Sequence, residues 1–141
     1  MDNETIFGTS WLDILHGDAG NDKIYGFEGA DSIVAGNGKD RIFGGPGDDR
    51  ILTAIVDTSA PADPDNEGDF VSGGSGNDTI IGAYNGAINE FLFGGPGHDI
   101  ISSYDGDDLI YGEEGDDELT ARAGNNEIHG GVGNDSIIIL K

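Results

Sequence analysis

An aliphatic side chain returns every nine residues along most of this chain. The column starts at Leu15 and runs through Ile24, Ile33, Ile42, Ile51, Val71, Ile80, Leu92, Ile101, Ile110, Leu119 and Ile128 to Ile137. A polar, glycine-rich stretch separates each member from the next. One inward position between two outward ones is the pattern of a very short β-strand. Such a strand cannot stand alone, so the pattern predicts three-residue strands stacked in register, with the column filling the interior. Helix is excluded by the 26 glycines among 141 residues, each costing a helix roughly 1 kcal/mol against alanine.

The polar positions keep the same period. Units begin at Gly8, Gly17, Gly26, Ala35 and Gly44, then at Thr53 in an enlarged unit ending at Ser72. They resume at Gly73 and Gly82 and, after a smaller expansion, continue at Gly94, Ser103, Gly112, Ala121 and Gly130. Thirteen units cover residues 8–138 of a single domain, with a partial unit over 1–7 and a tail at 139–141. The extra residues fall at about 53–68 and 83–89. Position eight is aliphatic in every unit, and position six is Asp in eleven of the thirteen, the others being Glu90 and Asn126.

The fullest units, "GGPGDDRIL" at Gly44–Leu52 and "GGPGHDIIS" at Gly94–Ser102, follow G-G-x-G-x-D-x-U-x, with U a large aliphatic residue, the pattern of a calcium-binding β-helix repeat. The chain therefore resembles the RTX, or hemolysin-type, calcium-binding repeat family. The resemblance implies an all-β, right-handed parallel β-roll. Each nonapeptide would give a six-residue turn and a three-residue strand, and two would make one coil. At a strand spacing of about 4.8 Å, six to seven coils make a prism roughly 30 Å long. It also implies that each ion sits between turns stacked 18 residues apart.

Charge makes a cation necessary as well as plausible. The chain carries 28 acidic and 6 basic residues, a formal charge of −22, which repels nucleic acid and opposes compaction. One aliphatic residue per unit is a thin core, so a further source of stability is expected. Calcium takes about six to eight hard oxygen ligands, and carboxylates and backbone carbonyls are what these turns offer.

The 18-residue spacing sorts the turns onto two edges. On the first, every unit starts with Gly, and the expected ligands are Asp13, Asp31, Asp49, Asp78, Asp99, Asp117 and Asp135. Backbone carbonyls of Gly29, Gly45, Gly47, Gly74, Gly76, Gly95, Gly97, Gly115, Gly131 and Gly133 are expected to complete the shells. Trp11 replaces the position-four Gly of the first unit, which counts against an ion between Asp13 and Asp31. The second edge starts its units with Gly17, Ala35, Thr53, Gly82, Ser103 and Ala121 and contains both expansions. It is expected to be a degraded ladder holding Asp22, Asp40, Asp69 and Asp108, with Asp22 and Asp40 the best pair. Five to eight Ca2+ ions would bring roughly +10 to +16 of charge. Asp48 is expected to be a solvated neighbour of Asp49.

Other features change the picture less. Tyr25, Phe43, Phe93 and Tyr111 share position nine of one sheet, with a gap at Ser72 and His129 at the far end. They predict an outward aromatic ladder that stiffens the sheet or, alternatively, forms a platform for a glycan or surface partner. Asp63-x-Asp65-x-Glu67-Gly68 resembles half an EF-hand loop, but the position of its closing Glu falls on Gly74. His16, His98 and His129 form no catalytic motif, so no enzyme activity is expected. There is no cysteine and no apolar run of membrane-spanning length. The family resemblance implies a secreted module, exported by a type I route and folding on calcium outside the cell. "SIIILK" carries the last unit into the short tail and leaves a sheet end that invites end-to-end association.

Overall fold

The computed structural model describes residues 3–54, 68–84 and 87–140. The expected insertion at about 53–68 and the half EF-hand therefore lie largely outside the described residues. Strands are numbered in chain order, and they alternate between two seven-stranded parallel sheets. The first sheet holds β1 (Thr5–Phe7), β3 (Lys23–Tyr25), β5 (Arg41–Pro46), β7 (Phe70–Ser75), β9 (Phe91–Pro96), β11 (Leu109–Glu114) and β13 (Glu127–Val132). The second holds β2 (Ile14–His16), β4 (Ser32–Val34), β6 (Arg50–Leu52), β8 (Thr79–Ile81), β10 (Ile100–Ser102), β12 (Glu118–Ala121) and β14 (Ser136–Ile139). The described residues contain no helix. The chain is a β-solenoid of about seven coils, as the resemblance implied.

Register follows the aliphatic column. Ile24 pairs with Ile42, Ile42 with Val71 and Val71 with Leu92 in one sheet; Ile33, Ile51, Ile80 and Ile101 align likewise in the other. Paired residues usually lie 18 apart, but 29 separate Asp40 from Asp69 and 21 separate Asp78 from Asp99. The extra residues leave at the second edge without slipping the ladder. Slippage by one residue would turn the whole column outward, so the core itself enforces the register. Every column member from Ile24 to Leu119 is fully buried, whereas Leu15 and Ile128 are half-buried and Ile137 is 46% exposed. Ala35, Thr53, Ser103 and Ala121, at position one of second-edge turns, are buried beside the column.

Several strands exceed the expected three residues, β12 and β14 by one residue each. β5, β7, β9, β11 and β13 each run to six residues, so the first sheet continues into the first edge. Gly45 pairs with Gly74, Pro46 with Ser75, and Glu113 with both Gly95 and Gly131. Glycines at positive φ let the backbone bend out of the sheet while neighbouring coils keep their hydrogen bonds. On the second edge, the described turns show a single isolated bridge, Ala19 to Asn37.

Candidate metal centre

Each first-edge turn leaves the first sheet, bends at its glycines and ends on an aspartate that enters the second sheet. That aspartate donates its backbone N–H to Oδ1 of the aspartate one coil further on. The links run from Asp13 to Asp31, Asp49, Asp78, Asp99 and Asp117, each 2.8 Å, and on to Asp135 at 3.1 Å. Oδ1 is thereby satisfied. The other oxygen is not. In Asp31, Asp49, Asp78, Asp99 and Asp117, Oδ2 is buried with no hydrogen-bond partner. A buried carboxylate oxygen without a donor or cation is costly, and native interiors rarely leave one so.

The space beside each Oδ2 is lined by oxygen. A Cβ placed on Gly26 would overlap both Asp31 Oδ2 and the carbonyl of Gly44, one coil away. Gly44, Gly73, Gly94 and Gly112 repeat this arrangement with Asp49, Asp78, Asp99 and Asp117 and the next coil's carbonyl. Position one is therefore glycine because any side chain would fill the cradle. Positions two and four crowd in the same way: side chains on Gly45 and Gly47 would strike the carbonyl oxygens of Phe27 and Gly29. Carbonyls of Gly45, Gly47, Gly74, Gly76, Gly97 and Gly115 likewise face glycines of the following turn. Gly95 pairs with Glu113 in the sheet, and Gly131 and Gly133 belong to the last coil.

Burial and mutual repulsion raise the proton affinity of these carboxyls. Desolvation pushes Asp49 and Asp99 up to about 7 and Asp78 to about 6, with nearby carboxylates adding to the effect. Asp31 and Asp117 are raised for the same first reason. Without a cation, this edge would hold protons close to neutral pH.

The second edge is mixed. Asp22 donates its N–H to Asp40 Oδ1, and Asp40 to Asp69 Oδ1, both at 2.8 Å. Asp22 buries an Oδ2 with no hydrogen-bond partner, and burial raises Asp108 although the Ser103 hydroxyl beside it acts the other way. Asp18 and Gly36 adopt positive φ at position two, as first-edge residues do, and so do Gly20 and Gly38 at position four. Tyr104 and Arg122 at the same position two do not; Arg122 instead lies 4.9 Å over the Tyr104 ring. Glu90 is satisfied by protein donors, and Asn126 accepts the Asp108 N–H at 2.9 Å. On the first edge, Asp13 also differs, because the backbone N–H and hydroxyl of Thr9 donate to its Oδ2. Asp135 is only half-buried.

Several contributors escaped the sequence reading because it looked for glycine. Phe27 and Glu113 hold position two at φ 73° and 82°, and their carbonyls stand where glycine carbonyls stand in other coils. Counting by position instead of residue type would have found them. Asp48 is exposed but is more than a solvated neighbour: its Oδ1 accepts the N–H of Asn77 at 2.8 Å. Asn77, His98 and Asp116 repeat that bond for His98, Asp116 and Asn134, a second ladder at position five.

The aromatic row is continuous. Tyr25–Phe43 and Phe93–Tyr111 stack with centroids 5.1 and 5.2 Å apart, and Tyr111 stacks on His129 at 4.4 Å. Phe70, from position seven of its unit, bridges the gap at Ser72 by touching both Phe43 and Phe93.

Among the described residues, no three carboxylate, imidazole or thiol side chains converge on one point. A cation on either edge would thus draw on backbone carbonyls as well as carboxylates, an all-oxygen set suited to a hard ion such as calcium. A family model for the RTX calcium-binding nonapeptide repeat matches residues 2–26, 25–54, 65–83, 84–119 and 111–138. Comparison with curated proteins finds no match.

Proposed function

Because the chain belongs to the family of RTX calcium-binding nonapeptide repeats, we propose that it is a structural module folded and stiffened by calcium along its first edge. The observation that carries this reading is the row of buried carboxylates from Asp31 to Asp117, each with one oxygen left without a donor. Asp31, Asp49, Asp78, Asp99 and Asp117 would hold the ions, with Asp22, Asp40 and Asp108 doing so on the other edge. Carbonyls at positions one, two and four would complete the shells. Bound calcium supplies the positive charge and the coordination that these oxygens lack.

The residues explain why folding and binding are one event. Carboxylates one coil apart repel each other, and they come together only when the coils stack. An ion held only by the stacked form stabilises it by mass action. The −22 chain thus stays expanded where calcium is scarce and folds where it is abundant. That behaviour suits export in an extended state and folding outside the cell. The aromatic row supports the same role, since ring contacts from strand to strand stiffen the sheet along its length. Circular dichroism in excess chelator tests the reading: strand signal should be absent or weak and should return on adding calcium. A chain equally folded in both solutions would overturn it.

A further inference from the structure

Glu90 occupies position six of a second-edge turn, where its counterpart Asp22 buries an oxygen without a hydrogen-bond partner. Glu90 is equally buried, at 2% exposure, yet both its oxygens are satisfied. Oε1 accepts the Thr53 hydroxyl at 2.7 Å and the Ala83 N–H at 3.0 Å, and Oε2 accepts the same N–H at 3.1 Å. Oε2 also lies where a Cβ on Gly82 would fall, in the space kept open beside position one.

We infer that Glu90 closes its turn to calcium, so that ions on the second edge form two separate groups. The inference rests on the calcium reading above. The longer side chain folds its carboxylate back over its own turn and finds protein donors there. Thr53 is the other half of the device. It stands at position one of the preceding second-edge turn, fully buried, and only the second edge has side chains at that position. A first-edge glycine offers no hydroxyl, so a carboxylate there keeps its need for a cation. Asp13 follows the same logic on the first edge, where Thr9 supplies the donors.

The test is a count of bound calcium ions by native mass spectrometry on the full chain at saturating calcium. E90Q keeps the acceptor for Ala83 and Thr53 and is expected to bind as many ions as the wild type. Loss of an ion in E90Q would make Glu90 a ligand and overturn the inference. If E90Q does not fold, E90D decides. Its shorter side chain cannot reach both donors, and the count is expected to rise by one; an unchanged or lower count overturns the inference. D99N separates this from the underlying reading, because it should lose at least one ion. A wild type that binds no calcium, or a D99N count equal to it, would defeat the assignment of the aspartates instead.

Discussion

The two edges of the solenoid are built from the same nonapeptide, yet they solve the burial of carboxylate differently. On the first edge, five consecutive aspartates keep an oxygen that no protein group satisfies. On the second, the chain supplies its own answers in places: a Thr–Glu pair at Thr53 and Glu90, an amide at Asn126, an Arg over Tyr at Arg122 and Tyr104. The insertions also leave at the second edge. A turn that depends on an ion must match its neighbours in every atom, because the ion needs oxygens from both. A turn satisfied by its own side chains is free to vary and to lengthen. Regularity is thus the mark of shared ligation, and irregularity the mark of local compensation.

The largest effect that separates the edges is steric. Gly47→Ala puts a methyl group on the Gly29 carbonyl at a backbone φ of 140°, and should destabilise the calcium-loaded chain by about 3 kcal/mol or more. Ala121→Gly removes a buried methyl on the other edge and should cost about 1–2 kcal/mol. Urea melts in calcium measure both, and equal losses would erase the distinction.

Asp99→Asn is expected to have a smaller but more telling effect. In calcium, it should lower stability by about 2 kcal/mol through loss of a charged ligand. In chelator near pH 7.5, it should do the reverse, because the neutral amide relieves repulsion with Asp78 and Asp117. Thermal melts in calcium and the strand signal that remains in chelator check the change of sign, and a loss in both would mean that Asp99 acts only through hydrogen bonds.

Proton linkage gives an effect that can be read without calcium. Asp49 and Asp99 rise from 3.8 to about 7 in the folded chain, and Asp78 to about 6. The calcium-free folded state therefore binds more protons than the unfolded state across this range. Its stabilisation by these protons is full below about pH 4 and is lost as pH rises towards 7. Lowering a chelated sample from about pH 7.5 to about pH 5 should recover part of the strand signal. A signal that is flat or falls on acidification would contradict the raised affinities.

Much of this was legible in the sequence. The aliphatic column set strand positions and register, because each unit has one residue to bury, and the family resemblance implied the division into two sheets. The aspartate column, sorted by the 18-residue coil, marked both edges. What the letters hid depends on contacts between coils. Phe27 and Glu113 take a glycine's conformation because stacking imposes it, and nothing in either residue type announces that. Phe70 fills the gap at Ser72 only because two outward positions of one strand lie within reach of the same neighbours. Asp48 finds a partner in the next coil, 29 residues away across an insertion. The Thr53–Glu90 hydrogen bond needed the position of Thr53, which belongs to a different unit.

The central claim is that the orphan oxygens of the first edge are calcium ligands shared between coils. Anomalous diffraction from crystals grown in calcium, collected at a long wavelength, tests it most directly. Peaks are predicted beside Oδ2 of Asp31, Asp49, Asp78, Asp99 and Asp117, in contact with carbonyls of the adjoining coil. An edge with no peaks, or with peaks only on exposed carboxylates such as Asp48 and Asp116, would contradict the account.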